Sequence, residues 1–117
     1  MKGRLSTHVL DTARGVPAVG VRVELSRVSV GVVTALKAAV TNVDGRVDEP
    51  LLEGPDFTPG TYRIVFHVGD YYRGQGHPDA GRFLDEVPVV FVVDDPDAGY
   101  HVPLLVTPWS YATYRGS

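Results

Sequence analysis

In VRVELSRV, from Val21, apolar and polar residues exchange places at almost every step, and TYRIVFHV, from Thr61, does the same. A period of two sends successive side chains to opposite faces of a pleated strand. Each segment therefore offers one apolar face to a core and one polar face away from it. In a strand expected over Val19 to Val28, Val19, Val21, Val23 and Leu25 face one way while Arg22, Glu24 and Ser26 face the other. No window carries the spacing of a long amphipathic helix. The chain has to be built from strands.

Further strands are expected at Arg4 to Leu10, Thr34 to Val43, Val87 to Val93, His101 to Val106 and, briefly, Ser110 to Tyr114. Turn residues separate them. Asp44-Gly45 and Pro59-Gly60 supply the positive or preset φ angles of tight turns, and Asp94-Asp95-Pro96-Asp97 ends another strand. One short helix is expected at about Gly69 to Gly76, with Asp70 as its cap and a glycine as its stop. Seven or eight strands with frequent turns predict an all-β Greek-key sandwich of two antiparallel sheets.

The 117 residues suffice for one domain, expected over residues 1–117, with a core that needs no covalent support. Cysteine is absent, which excludes disulfides, thiol nucleophiles and cysteine zinc clusters. MKGRLSTHVLD lacks the pattern of a signal peptide, and the longest apolar run, Val87 to Val93, is too short to cross a bilayer. A cytoplasmic protein without a membrane partner is expected. The net charge of −3 and the scattered arginines leave no footprint for nucleic acid.

In RLSTHVL, Leu5, Thr7 and Val9 share one face, so Arg4, Ser6 and His8 point away from it. In HVPLLVT, Val102, Leu104 and Val106 take the core side and His101, Pro103, Leu105 and Thr107 the other. That outer face is apolar around His101, which predicts a second subunit against it. Pro103 cannot donate to a ladder and favours an edge strand or a bulge. Taken singly, a strand histidine is ordinarily a solvated bystander, Arg46 beyond its turn a surface residue, and the aromatics around Trp109 core filler.

Other constellations are weaker. His67 and His77 lack metal-ligand spacing, and the run Asp94, Asp95, Asp97 lacks the later glutamate of a calcium loop, so no metal site is expected. Gly74 to Gly76 follows no strand that would make it a dinucleotide fingerprint.

Three segments taken together carry more. LSTHVLDTARGVPA near the start, TNVDGR in the middle and YHVPLLVTPWSYATYRGS at the end resemble the 5-hydroxyisourate hydrolases, the transthyretin-like enzymes of urate breakdown. The Tyr-Arg-Gly-Ser ending is that family's signature. Val30 to Ala39 and the loop QGHPDAGRF match none of its motifs.

The resemblance implies a transthyretin-like (prealbumin-like) sandwich and a site lined by His8, Arg46, His101, Tyr114, Arg115, Gly116 and Ser117. It implies catalytic roles for His8, Arg46, His101 and Ser117, with Tyr114, Arg115, Gly116 and Thr107 binding substrate. It also implies a homotetramer, a dimer of dimers with sites at the dimer-dimer interface. The reaction would be hydrolysis of the purine-derived 5-hydroxyisourate at its N1–C6 amide to 2-oxo-4-hydroxy-4-carboxy-5-ureidoimidazoline, without a cofactor.

Either histidine suits the role of general base, and Arg46 that of the cation meeting the charge on the carbonyl oxygen. Gly116 is expected to let the chain pass close to a ligand or a neighbouring strand, and a carboxylate after Ser117 to orient a histidine or pair with an arginine. The alternative is a transthyretin-like small-ligand binding protein without catalysis. A surface-adhesin sandwich shares only the Asp-Gly turn and the PGTY strand start, which are turn physics.

Overall fold

The period-two segments form two sheets, seen in a computed structural model that describes residues 3–116. Strands β1 (Arg4–Asp11), β2 (Val16–Pro17), β3 (Arg22–Ser29), β4 (Val32–Val40) and β5 (Leu52–Glu53) are followed by β6 (Gly60–His67) and helix α1 (Val68–Gly74). Strands β7 (Glu86–Val93), β8 (Tyr100–Val106) and β9 (Tyr111–Thr113) complete the chain. One sheet has the order β2-β1-β8-β9 with β5 also on β1, and the other the order β4-β3-β6-β7. All pairs are antiparallel except β1 with β8, which run parallel. This one pair departs from the purely antiparallel expectation and brings both ends of the sequence side by side.

The core lies between the sheets, where alternation predicted it. Leu5 and Val9 of β1, Val23 and Leu25 of β3, Tyr62, Ile64 and Phe66 of β6, Val87 of β7 and Leu104 and Val106 of β8 are all buried. Val19 falls outside its expected strand: β3 begins at Arg22 because Gly20, at φ +84°, turns the chain there. Asp11, the end of the THVLD segment, is a buried carboxylate. It accepts hydrogen bonds at 2.8 Å from the hydroxyls of both Tyr71 and Tyr72 and at 3.1 and 3.2 Å from the amides of Ala13 and Arg14. This network ties α1 to the end of β1.

Two local expectations are corrected. Asp70 does not cap the helix. The helix starts two residues earlier, with His67 at the N-cap position and no side-chain cap, and Asp70 instead pairs with Arg73 one turn on at 3.1 Å. The glycine stop does follow, as Gly76 takes φ +68°.

Pro103 is not on an edge, since β8 lies between β1 and β9. In the register that pairs Leu104 with Thr113 and His101 with Gly116, Pro103 falls opposite Tyr114, where β9 has already ended. The ladder is interrupted at the one residue that cannot donate to it, and the Pro103 carbonyl takes the Thr113 hydroxyl at 2.7 Å instead. No helix among the described residues is long and apolar enough to cross a membrane.

Candidate active site

The parallel register places Ser6 beside His101 and His8 beside Pro103. Because outward positions alternate with core positions on both strands, Ser6, His8 and His101 emerge on one face of the sheet. The two imidazole rings stand 6.5 Å apart, tilted by 42°. His8 Nε2 lies 2.8 Å from the Asp44 carbonyl, and His101 Nδ1 lies 2.9 Å from the Ser6 hydroxyl.

Arg46 arrives by a different route. Along the edge of β1 away from β8, β2 pairs with Leu10 and Asp11 and β5 with Arg4 and Leu5, leaving a gap that the Asp-Gly turn fills: Arg46 bridges to His8. Asn42 builds the turn. Its side-chain oxygen accepts the amides of Asp44 at 2.9 Å and Arg46 at 3.2 Å, while the Gly45 carbonyl accepts the Val9 amide at 2.8 Å. Gly45, at φ +77°, is required on two counts. A side chain would be strained at that angle, and its Cβ would meet the Val9 carbonyl oxygen at 2.4 Å.

The sequence segment after β9 returns to the site. The Gly116 amide donates to the His101 carbonyl at 2.7 Å, and a Cβ at Gly116 would meet His101 Cδ2 at 2.8 Å. The close approach expected of Gly116 is therefore made against the His101 ring. Tyr114 is exposed. Arg115 turns away from the histidines: its guanidinium lies 4.1 Å from the centre of the Tyr100 ring and donates to the Gly99 carbonyl. Ser117 lies outside the described residues.

Thr107 is on the His101 side of the sheet but six residues further along, about 20 Å at strand rise. Its hydroxyl holds the β8–β9 turn, accepting the amides of Trp109 and Ser110 at 3.0 Å. The structure thus gathers His8, Arg46, His101 and Gly116 and leaves the Thr107 and Arg115 side chains apart from them. The sequence reading overlooked Ser6 and Asn42 as supports. Ser6 was visible as the outward neighbour of His8, and Asn42 as an Asx-turn former two residues before Asp44.

Burial pulls the pKa of His101 below the ordinary imidazole value, and the positive charges of Arg46 and His8 push it the same way. At neutral pH this ring is predominantly neutral and can take a proton. No group of three or more metal-ligating side chains occurs among the described residues. Two imidazoles, one held neutral, beside an arginine on an open sheet face form an arrangement that can activate water and stabilise an oxyanion.

Comparison with known proteins places this chain in a family. A profile of the HIUase/Transthyretin family matches residues 5–116, and the chain belongs to that family. A 5-hydroxyisourate hydrolase of Deinococcus radiodurans is 55% identical over 113 residues, covering 97% of this chain and 95% of the relative. Among solved structures, an (S)-allantoin synthase superposes with a TM-score of 0.93 at 46% identity over 99% of this chain, which spans only 44% of that protein. Sea bream transthyretin in complex with thyroxine superposes with a TM-score of 0.86 at 29% identity, covering 97% of this chain and 94% of its own. The transthyretin-like sandwich expected from the sequence is the fold observed.

Proposed function

We propose that this protein hydrolyses 5-hydroxyisourate in urate breakdown, as one domain over residues 1–117. The observation that carries the proposal is the convergence of His8, His101 and Arg46 on one sheet face in a chain 55% identical to a protein named for that reaction. Water is deprotonated by the neutral imidazole of His101 as its oxygen adds to C6 of the ring. Negative charge moves onto the carbonyl oxygen, where the guanidinium of Arg46 meets it. Collapse breaks the C6–N1 bond, and N1 takes up the proton to become the end of the ureido group, which stays attached, while C6 becomes the carboxylate. The product is 2-oxo-4-hydroxy-4-carboxy-5-ureidoimidazoline, and no cofactor takes part.

His8 donates its Nε2 hydrogen to the Asp44 carbonyl and stands ready to orient substrate. Tyr114, Gly116 and Ser117 complete the proposed lining. The proposal includes a homotetramer, a dimer of dimers with sites at the dimer-dimer interface. It is supported by the half-buried Leu105 on the same sheet face as His101 and by the exposed valines Val90 and Val92 on the edge strand β7. A cytoplasmic location, read from the sequence, belongs to the same proposal.

The test is the ultraviolet decay of 5-hydroxyisourate generated in place from urate by a urate oxidase. Decay well above the spontaneous rate, lost in His101→Asn and Arg46→Ala, is expected. A folded wild-type protein that leaves the decay at the protein-free rate would refute hydrolysis and favour a binding channel. Sedimentation velocity tests the tetramer.

A further inference from the structure

The two histidines of the site are not held alike. The partner of His8 Nε2 is a backbone carbonyl, which can only accept, so Nε2 carries hydrogen and the lone pair of neutral His8 lies on Nδ1. The partner of His101 Nδ1 is a hydroxyl, which can donate or accept. Among the described residues, His101 Nε2 has no protein partner. The ring is also clamped on its other edge, where the Gly116 backbone passes so close to Cδ2 that a single added carbon would overlap it. A flip exchanging Nδ1 with Cδ2 would break the Ser6 bond, since a carbon would then face the hydroxyl. The Ser6 bond therefore fixes which edge of the ring carries Nδ1 and leaves Nε2 as the nitrogen without a protein partner among the described residues.

For Nε2 to accept a proton, neutral His101 must carry its hydrogen on Nδ1. Once Nε2 is protonated, both nitrogens carry hydrogen, and the Ser6 oxygen can then only accept. A hydroxyl that already accepts from Nδ1 needs no rearrangement during the step.

We propose that Ser6 is a positioning residue that selects the Nδ1–H tautomer of His101 and holds Nε2 as the proton acceptor. Its role in turnover rests on the hydrolase reading above, whereas its role in the tautomer does not. Ser6 comes from a strand 95 residues away in sequence and meets His101 only because β1 and β8 run parallel in this register.

The test uses nitrogen-15 NMR of the histidine side chains in the whole protein, beside turnover assays, in wild type, Ser6→Ala and Ser6→Thr. Neutral His101 in the wild type is expected with hydrogen on Nδ1, and Ser6→Ala should redistribute it toward Nε2. Loss of one neutral hydrogen bond predicts a kcat about tenfold lower with KM little changed. Ser6→Thr, which keeps the hydroxyl, should restore most of it.

An accepting Ser6 favours the imidazolium, so its removal should move the acid limb of kcat/KM to lower pH; a donating Ser6 would move it to higher pH. Hydrogen on Nε2 in the wild type overturns the proposal, as does a Ser6→Ala protein with unchanged tautomer and kcat. If the tautomer shifts as expected but wild type leaves 5-hydroxyisourate at its spontaneous rate, the hydrolase reading falls and the positioning role stands.

Discussion

Replacing Gly45 by alanine tests how the Asp-Gly turn supports both stability and the site. Two costs act together. An alanine in the left-handed region is strained by about 1–2 kcal/mol. The added carbon would also sit 2.4 Å from the Val9 carbonyl oxygen, and that atom belongs to the backbone of a core strand and cannot swing aside. The turn must lift instead, which strains the 2.8 Å bond from the Val9 amide to the Gly45 carbonyl and forfeits about 1 kcal/mol. The expected loss is about 2–3 kcal/mol.

Gly20→Ala is the control, because Gly20 has φ +84° with no atom within 4 Å of an added carbon. It should lose only the conformational part, about 1 kcal/mol. Urea unfolding at a fixed protein concentration measures both, with unchanged slopes licensing the comparison. Lifting the turn also displaces Arg46, so turnover in Gly45→Ala should fall about a hundredfold while Gly20→Ala keeps its rate. Equal destabilisation by the two substitutions would refute the steric argument.

Three further outcomes are expected. With His101 as the proposed base, its Nε2 has to be unprotonated, so kcat/KM should fall as the pH drops through its pKa, with the acid limb below the ordinary value of 6.5; in Arg46→Ala an NMR titration should show that pKa moving back up. Asp11→Ala leaves the buried Tyr71 hydroxyl and two amides without their acceptor, while the Tyr72 hydroxyl keeps the Val106 carbonyl at 3.1 Å, and should cost about 2–4 kcal/mol in urea unfolding, with Asp11→Asn losing less because one acceptor oxygen survives. Val30, 99% exposed at φ +49° in the two-residue turn between β3 and β4, is a β-branched residue where Asn-Gly is the favoured pair, so Val30→Asn should stabilise by about 1 kcal/mol in the same assay.

Much of this molecule was legible before its structure, and the parts that were not share a cause. Alternation assigned inward and outward faces correctly on β1, β6 and β8, since burial on one face forces a period of two whatever the topology. It could not say which strands are neighbours. The parallel pairing of β1 with β8, on which the Ser6–His101 contact depends, lies in contacts 95 residues apart and has no local signature.

Pro103 shows the same limit. Its missing amide predicted an edge strand or a bulge, and the structure shows neither: β8 is central and in regular register, and its ladder to β9 is interrupted opposite Tyr114. The misplaced Asp70 cap has a local cause: the chain enters α1 straight from β6, so the helix begins at Val68, before the first good capping residue is reached. Resemblance to the family supplied His8, Arg46 and His101 as a set. Only geometry separates Gly116, whose backbone touches the His101 ring, from Arg115, whose side chain lies over Tyr100 instead.

A sandwich superposing on a thyroxine-bound transthyretin with a TM-score of 0.86 cannot owe its chemistry to the fold. The fold supplies placement. Parallel strands put residues 6 and 101 side by side, and an edge left open between β2 and β5 admits a turn carrying Arg46. Whether that face binds or reacts then depends on a few groups: a nitrogen kept neutral, a hydrogen-bond partner that fixes which nitrogen it is, and a cation close enough to meet developing charge. The Arg46 charge also helps keep His101 unprotonated, so removing it would weaken the proposed oxyanion site and raise the pKa of the proposed base together. The effects of Arg46 and His101 substitutions on turnover should therefore combine less than additively, as expected for groups that act as a unit.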